Sequence, residues 1–123
     1  MKQKVVGSYY AGYESVELVL REGYGGDFYT IPERGSIARM KIGADDNWEM
    51  TMASLFHETF EFLFDRSKCR FCAANDLSNS ASAYLFVASH YDFSDVCAKA
   101  AEFVVACLPD LKRVYKEWNK KKK

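Results

Sequence analysis

Apolar and polar residues alternate along the first third of the chain in the pattern of β-strands. Apolar side chains recur at every second position between Tyr13 and Arg21 and again between Ser36 and Ile42, which is the period of a strand with one buried face. Asp27 to Ile31 is β-prone as well and is stopped by a proline. The segments Gly23 to Gly26 and Glu33 to Gly35 lie between these stretches and suit tight turns, since glycine adopts positive φ at little cost. We therefore predict three antiparallel strands joined by short turns.

The period changes to that of an α-helix after residue 47. From Trp48 to about Arg66 no proline or glycine interrupts the chain, and apolar residues recur at spacings of three and four, as on the buried stripe of a surface helix. The preceding segment, Gly43 to Asn47, carries Asp and Asn side chains that can cap the first amide groups of a helix. We predict a helix here whose core-facing stripe consists of Trp48, Met52, Leu55, Phe56 and Leu63, widened by Phe60 and Phe64.

Two shorter β-prone stretches follow this helix. Cys69 to Cys72 is predicted to form a short strand, and Asn75 to Ser80 is predicted to be a loop because it is rich in turn-forming polar residues. Ala83 to Ala88 is a continuous apolar run, which favours a strand at an inner position of a sheet.

Helices are predicted for the C-terminal part of the chain. Asp92 to Asp95 can cap a helix from Val96 to about Leu108, and Pro109 then starts a further amphipathic stretch, Leu111 to Trp118, because proline is tolerated in the first helical turn. The resulting order, β-β-β-α-β-β-α-α, favours an α+β fold over a parallel βαβ design. We expect a small antiparallel sheet of about four to five strands, packed with a central helix of the active-site type and with C-terminal helices.

The composition is that of one globular domain. The chain has 123 residues, 49% of them hydrophobic, which suffices for one core, so residues 1–123 are interpreted as a single domain in which residues from about 119 to 123 form a basic tail. Basic and acidic residues both number 17, so no net field steers the protein toward nucleic acid or an anionic membrane. The tail leaves a nucleic-acid accessory role as one alternative. A terminal lysine run is more typical of a solvated helix end, however, and we do not expect nucleic acid as a partner.

Signals for export and for membrane insertion are absent from the sequence. The N-terminal residues lack the apolar segment of a signal peptide, and no stretch approaches the roughly 18 to 20 apolar residues that span a bilayer. We therefore expect a cytoplasmic protein, in the cytoplasm of the host cell if it is phage-encoded, without a membrane partner. The cysteines Cys69, Cys72, Cys97 and Cys107 are then reduced thiols, and their spacing does not match a zinc knuckle.

The most concentrated chemistry of the sequence is the string His57-Glu58-x-x-Glu61 on the predicted central helix. Residues four apart lie one turn above each other, so His57 and Glu61 point the same way with Glu58 beside them. Imidazole nitrogen and carboxylate oxygen are both zinc ligands, and a stable site needs a third protein ligand. We infer that this ligand is His90, which follows the apolar strand and could turn over the helix. The predicted metal ligands are thus His57, Glu61 and His90, with zinc as the expected ion.

The stretch from Met52 to Leu63, Met-Ala-Ser-Leu-Phe-His-Glu-Thr-Phe-Glu-Phe-Leu, resembles the His-Glu-x-x-His active-site helix of minimal zincin-type metallopeptidases. The resemblance implies that His57 and Glu61 bind zinc, with Glu61 standing where the family has histidine, and that Glu58 is the catalytic general base. It also implies that the strand before the helix, Ser36 to Ile42, binds extended peptide substrate. The predicted function is a zincin-like metal-binding domain that hydrolyses peptide bonds.

The chain as a whole also resembles small uncharacterised proteins of phages and prophages. They carry a His-Glu-x-x-Glu helix and a C-terminal helix that ends near Leu-Pro-Asp-Leu, which is residues 108–111 in this sequence. This second resemblance implies a phage or mobile-element origin, with either a peptide substrate or a protein partner.

Two less specific interpretations stay open. Thr51, Ser54, Glu58, Glu61 and Asp65 fall on one side of the predicted helix, as a solvated polar face would. The chain would then be a non-enzymatic phage or mobile-element protein that binds a host protein. Five tyrosines lie within the first 29 residues, and tyrosine is enriched at protein interfaces, although amphipathic rings also suit an ordinary sheet.

Overall fold

The computed structural model describes residues 2–31, 37–72 and 84–122 of the chain. Within these residues it contains six strands and two helices, so the predicted α+β class is confirmed. The elements are β1 (Gln3–Ala11), β2 (Glu14–Arg21), β3 (Gly26–Ile31), β4 (Ile37–Gly43), α1 (Trp48–Arg66), β5 (Arg70–Cys72), β6 (Tyr84–Phe86) and α2 (His90–Lys122).

The first four strands form one mixed sheet in the order β1-β2-β4-β3. β1 pairs antiparallel with β2, and β3 pairs antiparallel with β4, whereas the central strands β2 and β4 are parallel. The prediction that the strands are all antiparallel is therefore wrong for the central pair. The reason is that β4 inserts between β2 and β3 instead of continuing the meander. Alternation within a strand reports which face is buried and not which neighbour the strand pairs with.

Glycines form the predicted turn between β2 and β3. Gly23 and Gly25 adopt φ values of 100° and 73°, a region that side chains with a Cβ rarely occupy. The second predicted turn, Glu33 to Gly35, lies outside the described residues, as does the loop predicted for Asn75 to Ser80.

β1 was not predicted, because its alternation is interrupted. The register of β1 against β2 shifts between Val5 and Gly7, as at a β-bulge, where an extra residue moves the following side chains to the other face of the sheet. Val6 and Ala11 are both buried in the result, although they are five positions apart, and that odd spacing hides the strand from a search for period two.

α1 has the predicted bounds, Trp48–Arg66, because local signals define both of its ends. The side chain of Asn47 caps the helix by accepting hydrogen bonds from two backbone amides of the first turn. The hydroxyl group of Thr51 donates to the carbonyl oxygen of Gly43 at 3.0 Å. This bond fixes the first turn of α1 to the end of β4.

The hydrophobic core lies between one face of the sheet and the two helices. α1 packs on β3 and β4, and α2 packs along β1 and against α1. The buried face of α1 also contains polar residues, and among them Glu58 has only 6% of its surface exposed. The fully buried side chains of the core include Val16, Leu18, Leu20, Met40, Ile42, Leu55, Phe62, Phe103 and Leu111.

The C-terminal part of the chain is one helix, where two were predicted. Ser89 is the N-terminal cap, since its hydroxyl oxygen accepts from the amide of Asp92 at 3.1 Å while the Asp92 carboxylate accepts from the amide of Ser89 at 3.2 Å; this is the reciprocal arrangement of a capping box. The helix therefore begins at His90, ahead of the predicted caps, and it continues through Pro109 to Lys122. Buried residues on both sides of the proline, such as Phe103 and Leu111, stabilise the continuous helix.

β5 and β6 form a separate antiparallel pair. The strand predicted for Ala83 to Ala88 is confirmed in part as β6, but its inner position is wrong, because Leu85, Phe86 and Val87 are 55%, 46% and 56% exposed. The apolar run lies at the surface beside α1, where it forms an aromatic contact with Phe64.

Neither helix of the described chain combines the length and the apolar content needed to cross a membrane. The basic residues Lys120 and Lys121 belong to the last turns of α2, where both are exposed, so this part of the predicted tail is helical.

Candidate metal centre

One turn of α1 places an imidazole and a carboxylate side by side. The Nε2 atom of His57 lies 2.9 Å from the Oε2 atom of Glu61, with 68% of the His57 side chain and 17% of the Glu61 side chain exposed. This is the geometry expected for helix residues four apart. The predicted pairing of His57 with Glu61 is therefore present.

The Glu58 side chain points toward the sheet, and its carboxylate is the third polar group beside His57 and Glu61. Its Oε2 atom lies 3.7 Å from Nε2 of His57. Space for this side chain exists because β3 begins with a glycine: a Cβ atom at Gly26 would lie 2.7 Å from Cγ of Glu58 and 2.8 Å from the carbonyl oxygen of Lys41. The interpretation of Thr51 and Glu58 as part of a solvated polar face is therefore wrong, since both are buried.

Burial has a direct electrostatic effect on Glu58. Removal from water raises the pKa of Glu58 to about 7, and the nearby charge of Glu61 contributes in the same direction. The charges of His57 and Arg70 oppose the rise in this pKa. A carboxylate in such a position is stabilised by any further positive charge placed next to it.

Arg70, the first residue of β5, orients the carboxylate of Glu61. Its Nη1 atom donates to Oε1 of Glu61 at 2.8 Å, and its guanidinium group lies 5.3 Å from the ring centre of Phe28. Nε of Arg70 is also 3.5 Å from a carboxylate oxygen of Asp65. The Oε1 atom of Glu61 thus accepts from Arg70, and the Oε2 atom faces His57. Metal sites commonly orient their ligands by a second layer of hydrogen bonds of this kind.

His57, Glu58 and Glu61 together could hold a metal ion. One donor atom from each residue lies within 4.8 Å of the others. Ligand atoms placed tetrahedrally at roughly 2.0 to 2.2 Å from zinc are about 3.4 Å apart. The separations of 2.9 Å and 3.7 Å from the imidazole nitrogen bracket this value. One nitrogen and two oxygen donors suit zinc and other divalent metals of intermediate hardness.

The structure does not bring His90 into this group. Among the described residues the group consists of His57, Glu58 and Glu61. His90 is the exposed first residue of α2, and its ring contacts the neighbouring Tyr91. The third donor beside the predicted pair is Glu58, for which the zincin resemblance implied the role of general base.

Comparisons with protein-family models, with curated proteins and with solved structures all found no match. The resemblances to zincins and to phage proteins therefore stay predictions.

Two cavities open on opposite sides of His57. One, of about 400 Å³, is lined by the turn residues Gly25 and Gly26 together with Ser54 and Glu58 of α1. The other, of about 490 Å³, lies toward β6 and has mainly aromatic walls. The three donor side chains thus lie between two open spaces, where a ligand can approach them.

The strand next to the site differs from the one that the zincin resemblance implied. β4, which precedes α1, is paired with β2 on one edge and with β3 on the other, so its backbone groups are not open to an added strand. β3 is the outer strand of the described sheet on this side, and its first residue, Gly26, lies under Glu58. An extended peptide would therefore pair with β3. The zincin resemblance implied the segment Ser36 to Ile42 instead.

The described thiols lie outside the site and are buried or partly buried. Cys69 and Cys107 are buried, and Cys97 is intermediate. Burial raises the pKa of Cys107 to about 12 and raises that of Cys69 as well, which keeps both in the unreactive thiol form. These two cysteines therefore act as small buried hydrophobic residues, while the Cys72 side chain lies outside the described residues.

Two residues that shape the site were missed by sequence reasoning. Gly26 was interpreted as part of a turn, and the consecutive glycines were a usable signal for a close approach of another segment. Arg70 had no local signal, since it lies nine residues after Glu61 and reaches it through the reversal of the chain after α1.

Proposed function

We propose that this protein is a metal-dependent hydrolase of peptide bonds, similar in its site to zincins, with zinc bound by His57, Glu58 and Glu61. The observation that carries the proposal is the convergence of these three donors within 4.8 Å at the junction of two open cavities. When bound, a zinc ion supplies Lewis acidity toward a carbonyl group and toward water.

The surrounding residues support this assignment through charge and position. Arg70 holds one oxygen of Glu61 at 2.8 Å, which leaves the second oxygen for the metal. Glu58 is buried near the acidic side chains of Glu61 and Asp27, an arrangement that a divalent cation stabilises. His57 has a largely exposed side chain, so the metal would be accessible from both cavities.

Peptide is the proposed substrate because of the strand beside the site. β3 is an outer strand of the described sheet, and extended peptides commonly bind by adding to such an edge. A peptide added to β3 would pass close to Glu58, since Gly26 is in contact distance of that side chain.

The first experiment is a zinc titration of chelator-treated protein. The wild-type protein is expected to bind one equivalent, and His57→Ala and Glu61→Gln are each expected to weaken binding by more than about tenfold, because each removes a direct ligand. His90→Ala is the matched control, since it removes the other histidine, and its zinc affinity should equal that of the wild type. A wild-type protein that binds no zinc would refute the proposal, and a loss of affinity in His90→Ala would make His90 a ligand.

The second experiment distinguishes two roles for Glu58. If Glu58 is the third ligand, as we propose, Glu58→Gln weakens zinc binding. If Glu58 is the general base that the zincin resemblance implies, Glu58→Gln keeps the metal and loses peptide hydrolysis. Zinc content and cleavage of a mixed peptide library, measured on the same preparation, separate the two results.

A non-enzymatic protein is the second candidate function, and a specific observation favours it. The side chains of the site already form a connected set of polar contacts, from His57 to Glu61 at 2.9 Å and from Glu61 to Arg70 at 2.8 Å. In this alternative these polar contacts stabilise the packing of α1 against β5, and the protein binds a host protein through its surface. It predicts that the wild-type protein neither retains zinc nor cleaves peptides, while Glu61→Gln lowers the stability of the fold.

A further inference from the structure

The cavity between α1 and β6 has aromatic walls beside the proposed metal ligands. Phe56, Phe60 and Phe64 follow one another at every fourth position on α1, and Phe86 of β6 faces them across a space of about 490 Å³. His57 and Glu61 line the same cavity, and they form the adjacent stripe of the helix. The cavity is therefore directly adjacent to the proposed metal ligands.

The walls of this cavity are held in place by contacts among the rings. Phe64 lies 5.4 Å from Phe86 and stacks on Phe93 of α2 at 6.4 Å, measured between ring centroids. Three elements thus hold the ring of Phe64, which lines the cavity. Phe56 and Phe86, which also line the cavity, are 43% and 46% exposed, which leaves a concave apolar surface in contact with water.

The size and the charge of the cavity restrict what can occupy it. Its volume lies within the usual range of small-ligand pockets, about 300 to 1,000 Å³, and aromatic walls favour a large apolar group. Glu61 lines the cavity, and a carboxylate oxygen of Glu58 lies 3.7 Å from Nε2 of His57. These carboxylates disfavour an acidic occupant through like-charge repulsion.

We propose that this cavity binds one large apolar side chain, aromatic or branched aliphatic, of an extended peptide whose backbone crosses His57. The apolar side chain would enter between Phe56 and Phe86, and the neighbouring backbone would lie toward Gly25 and Gly26 in the opposite cavity. Cleavage of that peptide rests on the proposed function, whereas binding of the side chain requires only the aromatic walls.

The test uses blocked peptides of one sequence that differ at a single central position, which is Phe, Leu, Ala or Asp. Binding to the full chain is measured by NMR titration in the presence of a chelator, so that no metal contributes. The Phe and Leu peptides should bind at least about tenfold more tightly than the Ala and Asp peptides, because burial of a large apolar side chain is worth at least this factor.

Three variants locate the binding. Phe56→Ala and Phe86→Ala remove partly exposed rings from two different elements, and each should abolish the preference for Phe and Leu. Tyr10→Ala is the matched control, because it removes a ring that is 68% exposed on β1, and it should leave the preference unchanged. Equal affinity for the four peptides, no binding of any of them, or a preference that survives both phenylalanine variants would overturn the proposal.

A cleavage assay on the zinc-loaded protein separates this proposal from the proposed function. Selective binding without cleavage would support the cavity assignment and remove the hydrolase. Cleavage with no preference for large apolar side chains would support the hydrolase and remove the cavity assignment.

Discussion

At the scale of single residues, the candidate site depends on a residue that has no side chain. Glu58 can be buried beside His57 because Gly26 leaves space for it, and Arg70 then balances part of the negative charge through Glu61. The chemistry of the helix motif is therefore determined jointly by α1, by the start of β3 and by the start of β5.

Gly26→Ala should disturb the fold and the donor group together. The added Cβ would lie 2.7 Å from Cγ of Glu58 and 2.8 Å from the backbone oxygen of Lys41; because the second of these atoms belongs to a strand, the backbone must move. We expect a loss of about 1 to 3 kcal/mol in the free energy of unfolding, measured by urea denaturation, and weaker zinc binding.

Gly25→Asn is the control for this substitution. A Cβ at Gly25 would meet nothing within 4 Å, and φ there is 73°, a conformation that asparagine tolerates better than most residues. Equal losses of unfolding free energy and of zinc affinity in the two variants would contradict the role assigned to the space between Gly26 and Glu58.

At the scale of elements, α2 shows how packing overrides a local signal. Proline has no amide hydrogen, so Pro109 cannot donate to the carbonyl of Val105, and an interior proline costs about 3 kcal/mol or more. The helix nevertheless runs from His90 to Lys122, because its apolar face packs along β1 and α1 over much of that length.

Pro109→Ala should therefore stabilise the protein. Alanine restores the missing hydrogen bond and has the highest helix propensity, so we expect a gain of about 1 to 3 kcal/mol in the free energy of unfolding, reduced somewhat by the greater freedom of the unfolded chain. Lys112→Ala, an exposed change one turn later in the same helix, should alter stability by less than about 0.5 kcal/mol. A loss of stability in Pro109→Ala would contradict a continuous helix.

At the scale of the whole molecule, polar contacts join the first strand to the last helix. The hydroxyl group of Tyr9 donates to the carboxylate of Asp110 at 2.6 Å, and Lys4 pairs with Glu117 at 3.2 Å. The hydroxyl group of Tyr115 donates to the carbonyl oxygen of Asp45 at 2.6 Å. α2 is thus attached both to β1 and to the connection between β4 and α1. These contacts help to hold α1, which carries the donor side chains, in position.

Tyr9→Phe should destabilise the protein in a way that depends on pH. The hydrogen bond from Tyr9 lowers the pKa of Asp110 below its ordinary value of 3.8, so the ionised carboxylate is favoured in the folded state. The stabilisation is present at pH values above 3.8 and is lost as the pH falls through the lowered value, where the carboxylate becomes protonated.

Urea midpoints measured from neutral to acidic pH would test this dependence. The midpoint of Tyr9→Phe should lie below that of the wild type at neutral pH, and the difference should shrink toward the acid end. Tyr10→Phe, which alters an exposed neighbouring ring, should follow the wild-type curve. A difference that persists unchanged in acid would show that the contribution of Tyr9 is independent of the Asp110 charge.

The sequence by itself determined the features that depend on neighbouring residues. The bounds of α1, its capping by Asn47 and the stacking of His57 on Glu61 follow from helix periodicity and cap chemistry, which act within one or two turns. The strand content of residues 14–31 and the glycine turn at Gly23 follow from alternation and from the conformational freedom of glycine.

The tertiary structure alone decided how these elements meet. The insertion of β4 between β2 and β3, the burial of Glu58 over Gly26 and the reach of Arg70 to Glu61 all join segments whose pairing no local pattern encodes. The same holds for His90, which a sequence argument placed over α1 and which lies at the exposed start of α2. The physical reason is that burial and long-range pairing minimise the free energy of the whole chain, whereas periodicity reports only the preferences of short segments.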